Sequence, residues 1–256
     1  MSTSYSKTIE KLPDGSEWQF REATNNMYEN TTTWNPFKGC LFDCSYCKPT
    51  FQRQAKRQKQ NCDKCYKYEP HCHPERLGEF PSGKIIFVCG NADIRFCPPE
   101  FTRKIIERVN EHSKKRPDKT FFFQSKEPVY FAPFLQELPA AAIILTTLET
   151  NRDAGYRDVS LAPLPSVRYR QFKELDYFRK VLTIEPVMDF DVEVFSQWIV
   201  DIAPEYVWLG LNSRPKQVKL PEPSVEKLRE LVKVLVHADI PIQGKALRGL
   251  DLGIPQ

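Results

Sequence analysis

The sequence predicts an α/β fold, a TIM-like barrel that stops short of closure. Three observations predict it. From about residue 84 onward, short apolar runs rich in β-branched and aromatic residues alternate with amphipathic helical segments. The runs are apolar almost throughout, as in parallel strands covered on both faces. Their spacing fits right-handed strand–helix–strand crossovers, about six of them plus a final strand. Neither a G-x-G-x-x-G nor a G-x4-G-K-[ST] loop is present to favour an open doubly wound sheet.

In chain order, Thr31 to Trp34 reads as the first strand and Gly39 as a turn. KIIFVC (84–89) is a buried strand. Pro98 and Pro99 lead into a helix that repeats Phe101, Ile105 and Val109 at a spacing of four, with Ile106 beside them. TFFFQ (120–124) is a strand, and PVYFAPFLQEL (128–138) is a short helix weakened by Pro133. AIILTT (142–147) is a strand and VRYRQFKELDYF (167–178) a helix. KVLTIEPV (180–187) is a strand that stops at Pro186, and DVEVFSQWIVDI (191–202) carries Phe195, Trp198, Ile199 and Ile202 on one stripe. After the strand YVWLGL (206–211), a helix over 224–238 starts at the N-cap Ser224, with Val225, Leu228, Val232 and Leu235 on one face. IPIQGK (240–245) closes the series.

Residues 1–30 and 48–83 stand outside this alternation. The first is an N-terminal extension. The second, rich in charge, Pro, Cys and His, is an insertion within a domain spanning 31–256. Hydrophobic residues make up 41% of the 256, which is enough for a sizeable core and against wholesale disorder. No apolar run has the length of a membrane span. The eight cysteines stand behind no export signal. They are therefore expected in a reducing cytoplasm, as metal ligands or catalytic thiols rather than as disulfides. Net charge is only +4, but Arg53, Lys56, Arg57, Lys59, Lys64 and Lys67 crowd around the single acid Asp63. Such a cluster attracts phosphates and makes nucleic acid a candidate partner.

Within the loop after the first strand, Cys40, Cys44 and Cys47 form C-x3-C-x2-C. An odd number of neighbouring thiols cannot pair internally, so a metal centre is expected. A four-iron cubane ordinarily takes four thiolates. Three would leave one iron open to a ligand from a substrate or cofactor. The loop follows the C-terminal end of a strand, which is the face that carries chemistry in such barrels.

With Tyr46 before the last cysteine, this motif resembles the signature of radical S-adenosylmethionine (radical SAM) enzymes. The blocks TTTWNPFKGC, HPERL, TLETNRD, IEPVMDFD and GKALRGL resemble an uncharacterised radical-SAM-like family of phage and archaeal proteins. The superfamily resemblance implies a partial (β/α)6 barrel and a [4Fe–4S] cluster on Cys40, Cys44 and Cys47. It also implies S-adenosylmethionine chelated at the open iron and cleaved reductively to a 5′-deoxyadenosyl radical. An electron donor such as ferredoxin or flavodoxin would be the partner. The methionine amino group would sit at CGNAD, where Gly90 matches the family's turn but Asn91 and Asp93 replace its usual glutamate. Ser125 and Lys126 would hold the methionine carboxylate. Thr147, Glu149 and Asn151 would hold the ribose, with Glu185 and Asn212 on the same face; Lys245 ends the last strand.

Two partitions of the remaining cysteines stay open. Cys44-x2-Cys47 and Cys62-x2-Cys65 have nearly the spacing of a zinc ribbon, which would make a non-catalytic nucleic-acid-binding protein. Alternatively, Cys62, Cys65 and Cys72 form a second site with one of His71 and His73, filled by zinc, or by an iron–sulfur cluster using Cys97. Cys89 is expected in the core, and His112 and His237 at solvated helix ends. There is no H-E-x-x-H motif and no Ser–His–Asp arrangement, so hydrolase chemistry has no support.

Overall fold

The computed structural model describes residues 6–11, 17–23, 31–245, 247–250 and 252. Two strands, β1 (Ser6–Lys11) and β2 (Glu17–Ala23), pair antiparallel. They are followed by β3 (Thr31–Trp34) and the two-residue β4 (Phe37–Lys38). The insertion contains a single helical turn, α1 (Arg53–Ala55), a short helix, α2 (Asp63–Lys67), and β5 (His71–Cys72). The body then runs β6 (Ile85–Val88), α3 (Pro99–Lys115), β7 (Thr120–Gln124), a 3-10 helix (Pro128–Glu137) and β8 (Ala142–Thr147). It ends with α4 (Pro165–Glu174), β9 (Lys180–Ile184), α5 (Val192–Ile202), β10 (Tyr206–Gly210), α6 (Val225–His237) and β11 (Ile242–Lys245).

Seven parallel strands, in the order β3-β6-β7-β8-β9-β10-β11, curl into a partial barrel with helices outside. The α/β partial-barrel expectation holds. β2 joins the far side of β11 in parallel, and β1 closes that edge. The other edge is β3, so the strand feeding the cysteine loop pairs with β6 alone within this sheet.

Local chemistry accounts for the element ends. Pro99 and Pro165 open α3 and α4, where a missing amide hydrogen costs nothing. The Ser224 hydroxyl caps α6 by accepting from the Lys227 amide at 3.3 Å. β6 ends at Val88 because Cys89 turns to a φ of 54°. The segment around Pro133 tightens into a 3-10 helix, since proline denies an α-helix one donor and crowds the preceding turn.

Strand alternation divides the core in two. Phe121, Phe123, Ile144, Leu182, Ile184, Val207 and Leu209 face the helices and meet Ile105, Val109, Phe172, Phe195, Ile199, Leu231 and Leu235. Phe122, Ile143, Leu145, Val181 and Trp208 form a separate inner cluster that plugs the barrel. Further along the same strands the inner positions turn polar. Gln124 donates to Thr147 at 2.8 Å and to Thr183 at 3.3 Å, and Lys245 pairs with Glu185 at 2.7 Å. Gly210 is small because a Cβ there would press on Glu185 and on the Lys245 carbonyl. The barrel is thus apolar toward the strand starts and polar toward the strand ends, where a ligand site belongs.

Among the peripheral histidines, His237 is exposed as expected. His112 departs from expectation. It is half-buried and stacked on Phe80, with ring centroids 4.0 Å apart, because the insertion's last residues fold over α3.

Candidate functional site

The cysteine loop leaves β3 at the polar mouth. Gly39 is its hinge. Its φ is 95°, and a Cβ would overlap the Glu69 carbonyl of the insertion. Its amide donates to the Asn91 carbonyl at 3.3 Å and its carbonyl accepts from the Asp93 amide at 3.3 Å. The loop is therefore held between the insertion and the turn after β6. Cys44 to Cys47 then make a tight turn, with the Cys47 amide donating to the Cys44 carbonyl at 2.9 Å. The Ser45 amide donates to the Val159 carbonyl at 2.8 Å, which ties the loop to the segment after β8.

The three thiols lie in a charged, largely dry setting. Cys44 is buried, and its sulfur lies 3.1 Å from the Ser160 hydroxyl. Its hydrogen bond with Cys47 holds it down, to about 6, and Lys126 and Ser160 help against burial. Cys47, the other half of that bond, is pushed up by it and by burial. Cys40 is pushed up by burial and by nearby Asp93.

Beside the thiols is a buried ion network. Glu149 is fully buried and accepts from Tyr46 and Lys126, from Tyr156 at 3.1 Å and from Arg168 at 2.7 Å. Burial pushes its carboxyl up, but Arg168 and Lys126 outweigh that and hold it well below the usual range. Lys126 also lies 5.3 Å from the Tyr46 ring centroid. Asp93, also buried, accepts from Ser125 Oγ at 2.7 Å, the Lys126 amide at 2.8 Å and the Arg95 amide at 3.0 Å. Burial still raises its pKa.

The structure brings Cys40, Cys44, Cys47, Asp93, Lys126 and Glu149 into one neighbourhood, with Ser125 behind Asp93. Gly90 packs close to Thr33, and the Asn91 amide donates to Asn35 at 3.0 Å. Thr147 and Glu185 line the polar inner layer described above. Asn151 is engaged with Asp191, and Asn212 braces its own loop by donating to the Val218 carbonyl at 2.7 Å and accepting from the Arg214 amide at 2.9 Å. Sequence reasoning missed Tyr156, Ser160 and Arg168. Arg168 carried a signal: it shares the buried stripe of α4 with Pro165 and Phe172, and a cation there demands a buried anion. A cavity of about 510 Å³ adjoins the loop and includes Ser45, Arg152, Tyr156, Met188, Asp189 and Lys219 in its wall.

The insertion holds a second constellation. The ligand atoms of Cys62, Cys65, His71 and His73 all lie within 4.8 Å of one another. This group differs from the expected set, which counts Cys72 and a single histidine. Along the extended chain at β5, alternation sends His71 and His73 to one face and Cys72 to the other. Cys72 packs on the main core, which also contains Cys89 and Cys97. It also separates the two halves of the zinc-ribbon alternative. Cys44 and Cys47 pack with Phe42, Tyr156 and Met188, and Cys62 and Cys65 stand with the histidines.

No known protein-family profile matches the chain, and no curated protein matches it. Its fold is shared with solved radical SAM enzymes. A radical SAM methyltransferase from Sphaerobacter thermophilus superposes with a TM-score of 0.56 at 15% identity, over 97% of this chain and 79% of that one. Streptococcus suis SuiB bound to the precursor peptide SuiA gives 0.53 at 9% identity, over 88% of this chain and 50% of SuiB. SuiB bound to S-adenosylmethionine gives 0.50 at 10% identity, over 87% of this chain and 47% of that one. The chain thus spans about half the length of SuiB. Among the described residues, no helix is long and apolar enough to cross a membrane.

Proposed function

We propose that the chain is a radical SAM enzyme carrying a [4Fe–4S] cluster on Cys40, Cys44 and Cys47. One observation carries the reading. Three thiols, without a fourth, are gathered on the loop after β3 at the polar mouth of a partial barrel shared with radical SAM enzymes. The donor set fits the group: Cys44 is buried, Cys40 and Cys47 are half-buried, and Lys126 provides a nearby positive charge for thiolates. Once bound, such a cluster supplies the electron that cleaves S-adenosylmethionine to a 5′-deoxyadenosyl radical.

The protein's own share is binding, orientation and exclusion of water. In this reading the Gly90–Asn91–Asp93 turn faces the methionine amino group. Ser125 and Lys126 hold the carboxylate, with Lys126 exchanging Glu149 for the ligand's anion. Thr147, Glu149 and Asn151 serve the ribose, and Glu185 and Asn212 complete the rim. The adjoining cavity takes the substrate, for which the basic insertion favours a nucleic acid. A ferredoxin or flavodoxin supplies the electron. The narrower likeness to phage and archaeal proteins rests on its sequence blocks alone.

The test is anaerobic reconstitution with iron and sulfide, followed by incubation with dithionite and S-adenosylmethionine. The expected result is about four irons bound at this site and release of 5′-deoxyadenosine. Protein that takes up zinc alone and forms no deoxyadenosine would overturn the reading.

A further inference from the structure

We infer that Cys62, Cys65, His71 and His73 bind one zinc ion in a closed tetrahedral site that fastens the insertion to the base of the cysteine loop. The spacing of the ligand atoms carries this first. His71 Nε2 lies 3.4 Å from Cys62 Sγ and 3.3 Å from Cys65 Sγ, and His73 Nε2 lies 3.2 Å from Cys65 Sγ. Around one zinc with Zn–S of about 2.3 Å and Zn–N of about 2.0–2.1 Å, tetrahedral sulfur and nitrogen ligands stand about 3.5 Å apart. These three sulfur–nitrogen pairs have nearly the separations that one ion imposes, and all four ligand atoms lie within 4.8 Å of one another.

The outer ring nitrogens supply an independent observation. His71 Nδ1 lies 2.7 Å from the Glu69 carbonyl, and His73 Nδ1 lies 2.7 Å from a Glu75 carboxylate oxygen. Each acceptor takes the Nδ1 proton and leaves the Nε2 lone pair aimed inward. This is the arrangement that metal-bound histidines show, with the outer partner fixing the tautomer. Two sulfurs and two nitrogens at tetrahedral spacing select zinc among common ions. A two-iron cluster with two cysteines and two histidines segregates them onto different irons. Here the sulfurs and nitrogens interleave around one point.

Four protein ligands leave no open position, so the site is structural. What it fastens can be read from the backbone. β5 pairs with β4, Phe37 against Cys72 and Lys38 against His71. The His73 amide donates to the Pro36 carbonyl at 2.6 Å, and the Cys40 amide to the Tyr68 carbonyl at 3.4 Å. Residues 36–40 therefore run along the ligand-bearing segment. The ion would keep that segment folded, and with it the approach to the first thiol.

The full chain, dialysed against EDTA, is expected to retain about one zinc per chain. Its zinc-edge absorption spectrum should show two sulfur and two nitrogen scatterers. Cys65→Ser and His73→Ala should each lower zinc at least tenfold, while Cys72→Ser leaves it unchanged. His71→Cys should keep zinc and shift the spectrum to three sulfurs, which separates loss of a ligand from loss of the fold. A variant with Cys40, Cys44 and Cys47 all changed to Ala should keep its zinc, so this inference and the cluster reading fail separately. Zinc unaffected in Cys65→Ser and His73→Ala, zinc lost from the triple variant, or iron in place of zinc in that variant would each overturn it.

Discussion

The two cysteine groups stand on adjoining stretches of chain and are built in opposite ways. In the insertion, four ligand atoms converge and the outer nitrogens are already satisfied. Nothing about that site invites a further ligand. In the loop after β3, three thiols have no fourth cysteine, and a cation and buried carboxylates stand beside them. That charge has no structural need of a metal, because Lys126 and Arg168 already balance Glu149. The contrast separates a group whose ligand atoms close on one another from a thiol triad set beside charged side chains.

The largest effect should come from breaking the open site. Cys44→Ala removes one of the three thiolates of the proposed cluster, which has no protein ligand to spare. Formation of 5′-deoxyadenosine is expected to fall to background and iron to be lost. Zinc should stay at the wild-type level, and the fold should be kept because the barrel core lies elsewhere. Parallel iron and zinc analysis checks this. Loss of both metals together would mean that the groups are one site.

Glu149→Gln should have the next largest effect, this time on stability. It leaves Arg168 buried without its anion, and breaking such a pair costs about 3–5 kcal/mol. The sign with pH follows from the depressed carboxyl. A folded pKa below the unfolded value of about 4.3 gives stability that is fully present above that value. It is lost as pH falls toward the folded value. The gap in thermal midpoint between wild type and variant should therefore be wide near neutrality and narrow on acidification below about pH 4. A gap independent of pH would show that Glu149 acts by packing rather than charge.

Much of this was legible in the sequence, for identifiable reasons. TFFFQ and AIILTT coincide with strands because buried parallel strands are short and largely apolar. The thiol triad is local, so its spacing displays it. The Glu149 network is not local: its partners Tyr46, Lys126 and Arg168 come from three separate loops or helices, joined only when the sheet curls. The ligand set of the insertion was half legible. Spacing gave Cys62 and Cys65, but choosing between Cys72 and the histidines required the side alternation of a two-residue strand.

Gly39→Ala tests the junction between the two regions. The added methyl group meets the Glu69 carbonyl, and φ there lies in the left-handed region. A cost of about 1–3 kcal/mol is expected. Limited proteolysis should then cut first within 48–83, before the barrel, since the insertion is what must move. First cuts inside the barrel would show that Gly39 matters to β3 rather than to docking.

The smallest effect concerns the outer face of the insertion. Arg53, Lys56, Arg57 and Lys59 are all exposed, and Lys56 lies over the Tyr66 ring, 4.4 Å from its centroid. None of the four belongs to either cysteine group, so changing all four to Ala should move stability by only about 0.5 kcal/mol or less per site. Binding to a single-stranded oligonucleotide should respond differently. Each contacted phosphate contributes about 0.7 to the slope of log affinity against log salt. The wild-type slope should exceed that of the variant by up to about 3 if all four residues touch the strand. The loss should be similar for every sequence tried, because point charges on an exposed face read backbone rather than bases. Equal slopes would move nucleic acid away from this face. The neighbouring cavity of about 180 Å³, whose wall includes Lys38, Arg57 and Tyr68, would then need another kind of ligand.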